Sequence, residues 1–194
     1  MLINNQNVSL AIHAIMDAFT ALPDNGFRLC IEDKAQEGLK AAGEVEPSHT
    51  RRVLSEDELP DFVKKAMGLA ASDIESLLGE LDKPNFYGVA VPVEAIDPSY
   101  DGEKYDHIVL FYDPIIRAAL DENHLRKIAS EFVRHEWRHG CQFNWLRNHG
   151  YNVFDALMNE NETKYGEGPL ESDAYRFQNG VEVELDTAMA SFIA

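Results

Sequence analysis

Leu125, Ile128, Phe132, His135, His139 and Gln142 recur at steps of three and four, the spacing of one face of an α-helix. The stripe starts apolar and turns polar without leaving its face. The spacing predicts a helix from near Glu122 to before Gly150, with Gly150 as the C-terminal cap after Asn148 and His149. Val8, Ile12, Ile15, Phe19 and Leu22 predict a helix over 6–22, closed by the turn Pro23-Asp24-Asn25-Gly26. Residues 27–32 form a short strand candidate, with His13 beside the preceding stripe as a surface histidine. Residues 86–94 and 105–112 are the two best strands, the second rich in β-branched and aromatic side chains. Pro98, Ser99, Asp101 and Gly102 between them predict a hairpin with a long loop.

The remaining elements follow from capping signals. Residues 35–42 read as a short helix, and the capping-box patterns at Ser55 and Ser72 open two more before Pro84. Asp113 and Pro114 read as N-cap and first position of a helix to about residue 120. A short helix is expected near 153–158, followed by a loop over 159–168. Pro169 opens a helix through Phe177, interrupted at Asn179-Gly180, and 181–194 is helical in propensity. The pattern implies one α+β domain over 1–194, mostly helical with a small antiparallel sheet. Its 1–84 part is mainly helical; 85–194 carries the strands, the central helix and a C-terminal helix.

The polar end of the central stripe carries the chemistry. It reads His135-Glu136-Trp137-Arg138-His139, a His-Glu-x-x-His pattern. Two histidines four apart on a helix share a face one turn apart, so both imidazoles can bind one metal ion. Glu136 is then placed to act as general base toward a water at that metal. The competing reading is a pair of core histidines satisfied by hydrogen bonds, because buried polar groups need partners. Trp137 and Arg138 fall on other faces and read as surface or packing residues.

A catalytic zinc takes three protein ligands and keeps a position for water. Glu171, in the first turn of the Pro169 helix, is the candidate third ligand; a carboxylate there also gains from the helix dipole. Asp173 is the second choice, roughly 200° away around the helix. The core side of that helix is expected to hold Leu170, Ala174 and Phe177, with Asp173 accepting from a ligand histidine N–H. Tyr165, Tyr175, His149 and His107 are candidate oxyanion donors.

Charge and composition narrow the partners. At 194 residues and 45% hydrophobic content the chain can build a real core. A net charge of −17 argues against nucleic acid and against an anionic membrane surface. No apolar run reaches transmembrane length and no export signal is read, so a cytoplasmic location is expected. Cys30 and Cys141 form neither a disulfide framework nor a Cys-x-x-Cys pair.

The His-Glu-x-x-His pattern followed by a helix bearing Glu171-x-x-Ala174 resembles the zincin metallopeptidases, specifically the gluzincin-like group. The run Pro169-Leu170-Glu171-Ser172-Asp173-Ala174-x-x-Phe177 resembles the second motif of small soluble zincins of bacteria and their phages. The resemblance covers roughly 105–177. Gly140, Cys141 and Gln142 follow where a metzincin would continue toward a third histidine, and the interval from His139 to Glu171 is longer than in the larger gluzincins. The resemblance implies a minimal zincin-like fold, Zn²⁺ held by His135, His139 and Glu171, and peptide or protein hydrolysis with Glu136 as base. It also implies that strand 105–112 borders the cleft and pairs with an extended peptide. A different class stays open: a zincin-like binding or regulatory domain whose metal is structural or vestigial.

Overall fold

The computed structural model of the chain describes residues 1–32, 87–95, 105–161 and 168–190. The helices expected at 35–42, after Ser55 and after Ser72 lie outside these residues, as do the loop between the two best strands and Tyr165. The described elements are, in order, α1 (Asn5–Thr20), β1 (Arg28–Glu32), β2 (Gly88–Val91), a 3-10 turn (Val93–Ala95), β3 (His107–Phe111), α2 (Tyr112–Ala118), α3 (Glu122–Asn148), α4 (Val153–Asn161), α5 (Pro169–Gln178) and α6 (Leu185–Ala188).

The class is α+β, but the sheet is mixed and not antiparallel. Its order is β1-β3-β2. β2 runs antiparallel to β3, with Val89 opposite Val109. β1 runs parallel to β3, with Cys30 opposite Val109. The expected antiparallel sheet fails at β1 because more than seventy residues separate it from β3, ample for the crossover that parallel pairing needs. The central place of β3 also corrects the expectation that 105–112 pairs with a peptide. Both its edges are already hydrogen-bonded, and His107–Phe111 is buried at every position, on both faces of the sheet.

The termini of the long helix follow the sequence. Asp121 caps α3, its side chain accepting from the His124 N–H at 2.8 Å. Gly150, at φ +77°, ends it. Two other boundaries differ. α2 begins at Tyr112 with Phe111 as N-cap, so Asp113 lies inside the first turn and does not cap. After Gly180, at φ +81°, the chain forms only the four-residue α6 among the described residues of 181–194.

Ile108 and Leu110 of β3 pack with Val8, Ala11 and Ile15 of α1, Ile115 and Ile116 of α2, and Leu125, Ile128 and Val133 of α3. Val109 and Phe111 point to the opposite face with Cys30 of β1. A second cluster joins Phe143 and Leu146 of α3 to Val153, Ala156 and Leu170. Between these clusters α3 is buried all round: every residue from His135 to Phe143 is buried. Gly140 makes this possible on the Phe27 side, where an added Cβ would come within 2.9 Å of that ring.

Candidate metal centre

α3 and α5 are joined by three polar contacts that step along both helices. The Arg134 guanidinium donates to the Phe177 carbonyl at 3.0 and 2.8 Å. Arg138 donates to both carboxylate oxygens of Asp173, at 2.6 and 3.0 Å. Gln142 Nε2 donates to the Leu170 carbonyl at 2.9 Å and to Asp173 Oδ2 at 2.8 Å. Arg134, Arg138 and Gln142 are spaced by four on α3, and their partners run backward along α5, as an antiparallel helix pair requires. Leu170, Ala174 and Phe177 form the buried side of α5 as expected.

This register brings His135, His139 and Glu171 together. The two imidazole Nε2 atoms lie 3.1 Å apart. His135 Nε2 is 3.4 Å from Glu171 Oε2, and His139 Nε2 is 3.3 Å from Glu171 Oε1. Donors bound ~2.0–2.1 Å from one ion at a tetrahedral angle lie about 3.3 Å apart. The two imidazoles fit that spacing, and the Glu171 carboxylate lies across both with one oxygen nearest each ring, so the three residues form a group that could hold a metal ion. The far nitrogens are also engaged: His139 Nδ1 is 2.8 Å from Gln142 Oε1, and His135 Nδ1 is 3.0 Å from Gln178 Oε1.

Burial and neighbouring charge oppose each other at His139, Glu171 and Glu136. Burial alone would lower the His139 imidazole, but hydrogen bonding to Glu171 and the negative charges of Glu136 and Glu171 outweigh it and push it up to about 9. Burial pulls Glu171 upward, yet hydrogen bonds from His135 and His139 and their charge hold it well below the usual carboxylate range. Glu136 is fully buried, and desolvation pushes it above that range. The nearby charges of His135 and His139 and the Ala90 N–H of β2 act against that rise, while Glu171 adds to it.

Asp173 does not occupy the place expected of it. It is buried and held by Arg138, and it reaches His139 only through Gln142. Arg138 is therefore no surface residue; its charge is buried against Asp173 and over the Phe177 ring. Trp137 packs between Phe177 and Phe27. Of the candidate oxyanion donors, Tyr175 lies with its ring 4.9 Å from that of His135. His149 stacks on Trp145 and bonds the Trp145 carbonyl of its own helix. His107 shares the β3 face of Val109 and Phe111, opposite the face that packs on α3. Gln178 and the β2 contact to Glu136 had no sequence signal, whereas the four-residue spacing of Arg134, Arg138 and Gln142 was a visible one.

Comparison with protein-family models, with curated proteins and with solved structures gives no match to the chain.

Proposed function

We propose that the chain is a zinc-dependent metallopeptidase of the zincin type, with His135, His139 and Glu171 as metal ligands and Glu136 as general base. The observation that carries the reading is the meeting of His135, His139 and the Glu171 carboxylate beside the buried carboxyl group of Glu136, on the helix of the two histidines. A purely structural metal site has no use for that carboxyl group. A zinc ion at such a site supplies Lewis-acid chemistry, polarising a carbonyl and lowering the pKa of water toward ~7.

The chain's own groups then have defined tasks. Glu136 accepts the proton of the attacking water on its carboxylate and delivers it to the leaving amine nitrogen. The Tyr175 hydroxyl is the candidate donor to the developing oxyanion, being on the α5 residue whose ring touches His135. β2 takes the role first given to 105–112. It is one of the two edge strands of the described sheet, and its Ala90 N–H faces Glu136, so an extended peptide is proposed to run along it.

The test is metal analysis of purified protein joined to digestion of an unbiased peptide library. Zinc at one per chain and cleavage abolished by Glu136→Gln, with metal retained, is the expected outcome. Removing a general base costs roughly a hundredfold or more. A zinc-loaded chain that cleaves nothing would favour a binding or regulatory domain with a structural metal. Cleavage that survives Glu136→Gln would remove Glu136 from its role.

A further inference from the structure

The two histidines are held by neutral carboxamides, and that choice has consequences. Gln142 has a determined orientation. Its Nε2 donates to the Leu170 carbonyl and to Asp173 Oδ2, both of which can only accept, so the atom facing His139 Nδ1 must be the oxygen. An oxygen that can only accept requires a proton on His139 Nδ1. Gln178 Oε1 faces His135 Nδ1 at 3.0 Å and, as an acceptor, pairs with a proton there. Once a ring is neutral, its Nε2 carries a lone pair in place of the proton that the cationic ring gives to Glu171.

We propose that Gln142 and Gln178 are positioning residues that lock both imidazoles in the Nδ1–H tautomer, keeping each Nε2 free to accept a metal ion. The use of that tautomer rests on the metal reading above; the tautomer itself does not. Without such acceptors, either ring could place its proton on Nε2 and donate it to the Glu171 carboxylate 3.3–3.4 Å away, which would block the site. Ligand histidines commonly give this proton to a carboxylate, a backbone carbonyl or water, and a stronger acceptor makes the ligand more basic. On the Nδ1 side of His139 the carboxylate of Asp173 is paired with Arg138 and reaches the ring only by way of Gln142. A carboxamide acceptor at Nδ1 leaves each ring less basic than a carboxylate in the same place would.

The two glutamines are not equivalent. Gln142 is fully buried, and its amide nitrogen serves two acceptors. Glutamate there would face a carbonyl and a carboxylate with no proton to give. Gln178 is the last residue of α5 and only partly buried. Glutamate there can keep the bond to His135 and strengthen it. Gln178→Glu should therefore tighten zinc binding, and Gln142→Glu should weaken it.

The experiment uses the full chain. Imidazole ¹⁵N shifts of metal-free protein, recorded at alkaline pH where the rings are neutral, read the tautomers. Chelator competition reads the dissociation constant for zinc. The parent should show Nδ1–H on both rings. Gln142→Leu and Gln178→Leu should each release their own ring to a mixture with Nε2–H and weaken zinc by roughly ten- to a hundredfold. Gln178→Leu and Gln178→Glu keep the test open if the buried Gln142 variants fail to fold. Nε2–H on either ring of the parent would overturn the proposal. So would Gln178 variants that leave both tautomer and affinity unchanged. A parent with the expected tautomers but no zinc binding would remove the metal reading while leaving the tautomer lock in place.

Discussion

Gly88 and Glu136 meet where β2 lies against α3: a Cβ on Gly88 would fall 3.0 Å from Glu136 Cγ and 2.8 Å from the Val109 carbonyl oxygen. The glutamate can yield, but the backbone carbonyl of the central strand cannot without distorting the sheet. Gly88→Ala should destabilise the protein by roughly 1–3 kcal/mol, the usual cost of overpacking. Denaturant unfolding measures it, and an unchanged midpoint would show that β2 has room to move away.

Glu171 and Asp173 should separate cleanly by what they disturb. Glu171→Ala removes a metal donor that is partly exposed, so the fold should persist while zinc affinity collapses, as with His135→Ala or His139→Ala. Asp173→Asn leaves the Arg138 charge buried without its counterion, and losing one partner of such a pair costs about 3–5 kcal/mol. Thermal melts and zinc competition on both variants test the division. Equal loss of stability in the two would contradict it.

Glu136→Gln should make the metal-free protein more stable near neutral pH. The Glu136 carboxyl is raised in the fold by burial, so the unfolded chain gives up its proton first. Stability therefore falls as pH rises above the unfolded value of 4.5 and through the raised folded value. Glutamine carries no such penalty and can still accept from the Ala90 N–H. Calorimetry at neutral pH should show a higher Tm for the variant, with each kcal/mol worth roughly 2–4 °C at this size. A lower Tm would mean that the ionised group stabilises the site.

The pair of His139 and Glu171 predicts a window closed on both sides. His139 is raised from 6.5 to about 9, so its contribution is complete below 6.5 and is lost as pH climbs through about 9. Glu171 is lowered from 4.5, so its contribution is complete above 4.5 and is lost as pH falls below that value. The two describe one interaction, which is whole between 4.5 and 6.5. Metal-free protein should lose stability from 6.5 upward, and Glu171→Gln should flatten that slope. Zinc must displace the His139 proton at neutral pH, so titration calorimetry in buffers of different ionisation enthalpy should detect proton release. Binding without proton release would argue that His139 is neutral beforehand.

The helical part of the site was legible because periodicity and chemistry coincide on α3. A stripe that runs from Leu125 to Gln142 on one face cannot expose its histidines, and Pro169 marks where the facing helix starts. Leu170, Ala174 and Phe177 fixed the buried side of α5, which left Glu171 on its border. The sheet was less legible. An alternating or apolar run shows that a strand exists but not the direction of its neighbour, so β1 was assigned the wrong sense and β3 the wrong place. Arg138 stayed open between surface and packing for another reason: its burial depends on a counterion, here Asp173 thirty-five positions away, that no local pattern places opposite it. The contact of Gln178 with His135 also depends on the docking of two helices, which no local pattern records.

On the proposed metal reading, the three-step clamp between α3 and α5 would also make the site a size filter. Arg134, Arg138 and Gln142 hold α5 at three levels, so the backbone that carries Glu171 cannot move away from His135 and His139 without breaking contacts to Phe177, Asp173 or Leu170. The 3.1 Å between the two imidazole Nε2 atoms suits an ion bound at zinc-like distances. Calcium, which sits ~2.3–2.6 Å from its oxygens and asks for six to eight of them, would have to pry the helices apart. Discrimination against the larger ion then comes from the stiffness of the helix pair and not only from the identity of the donors.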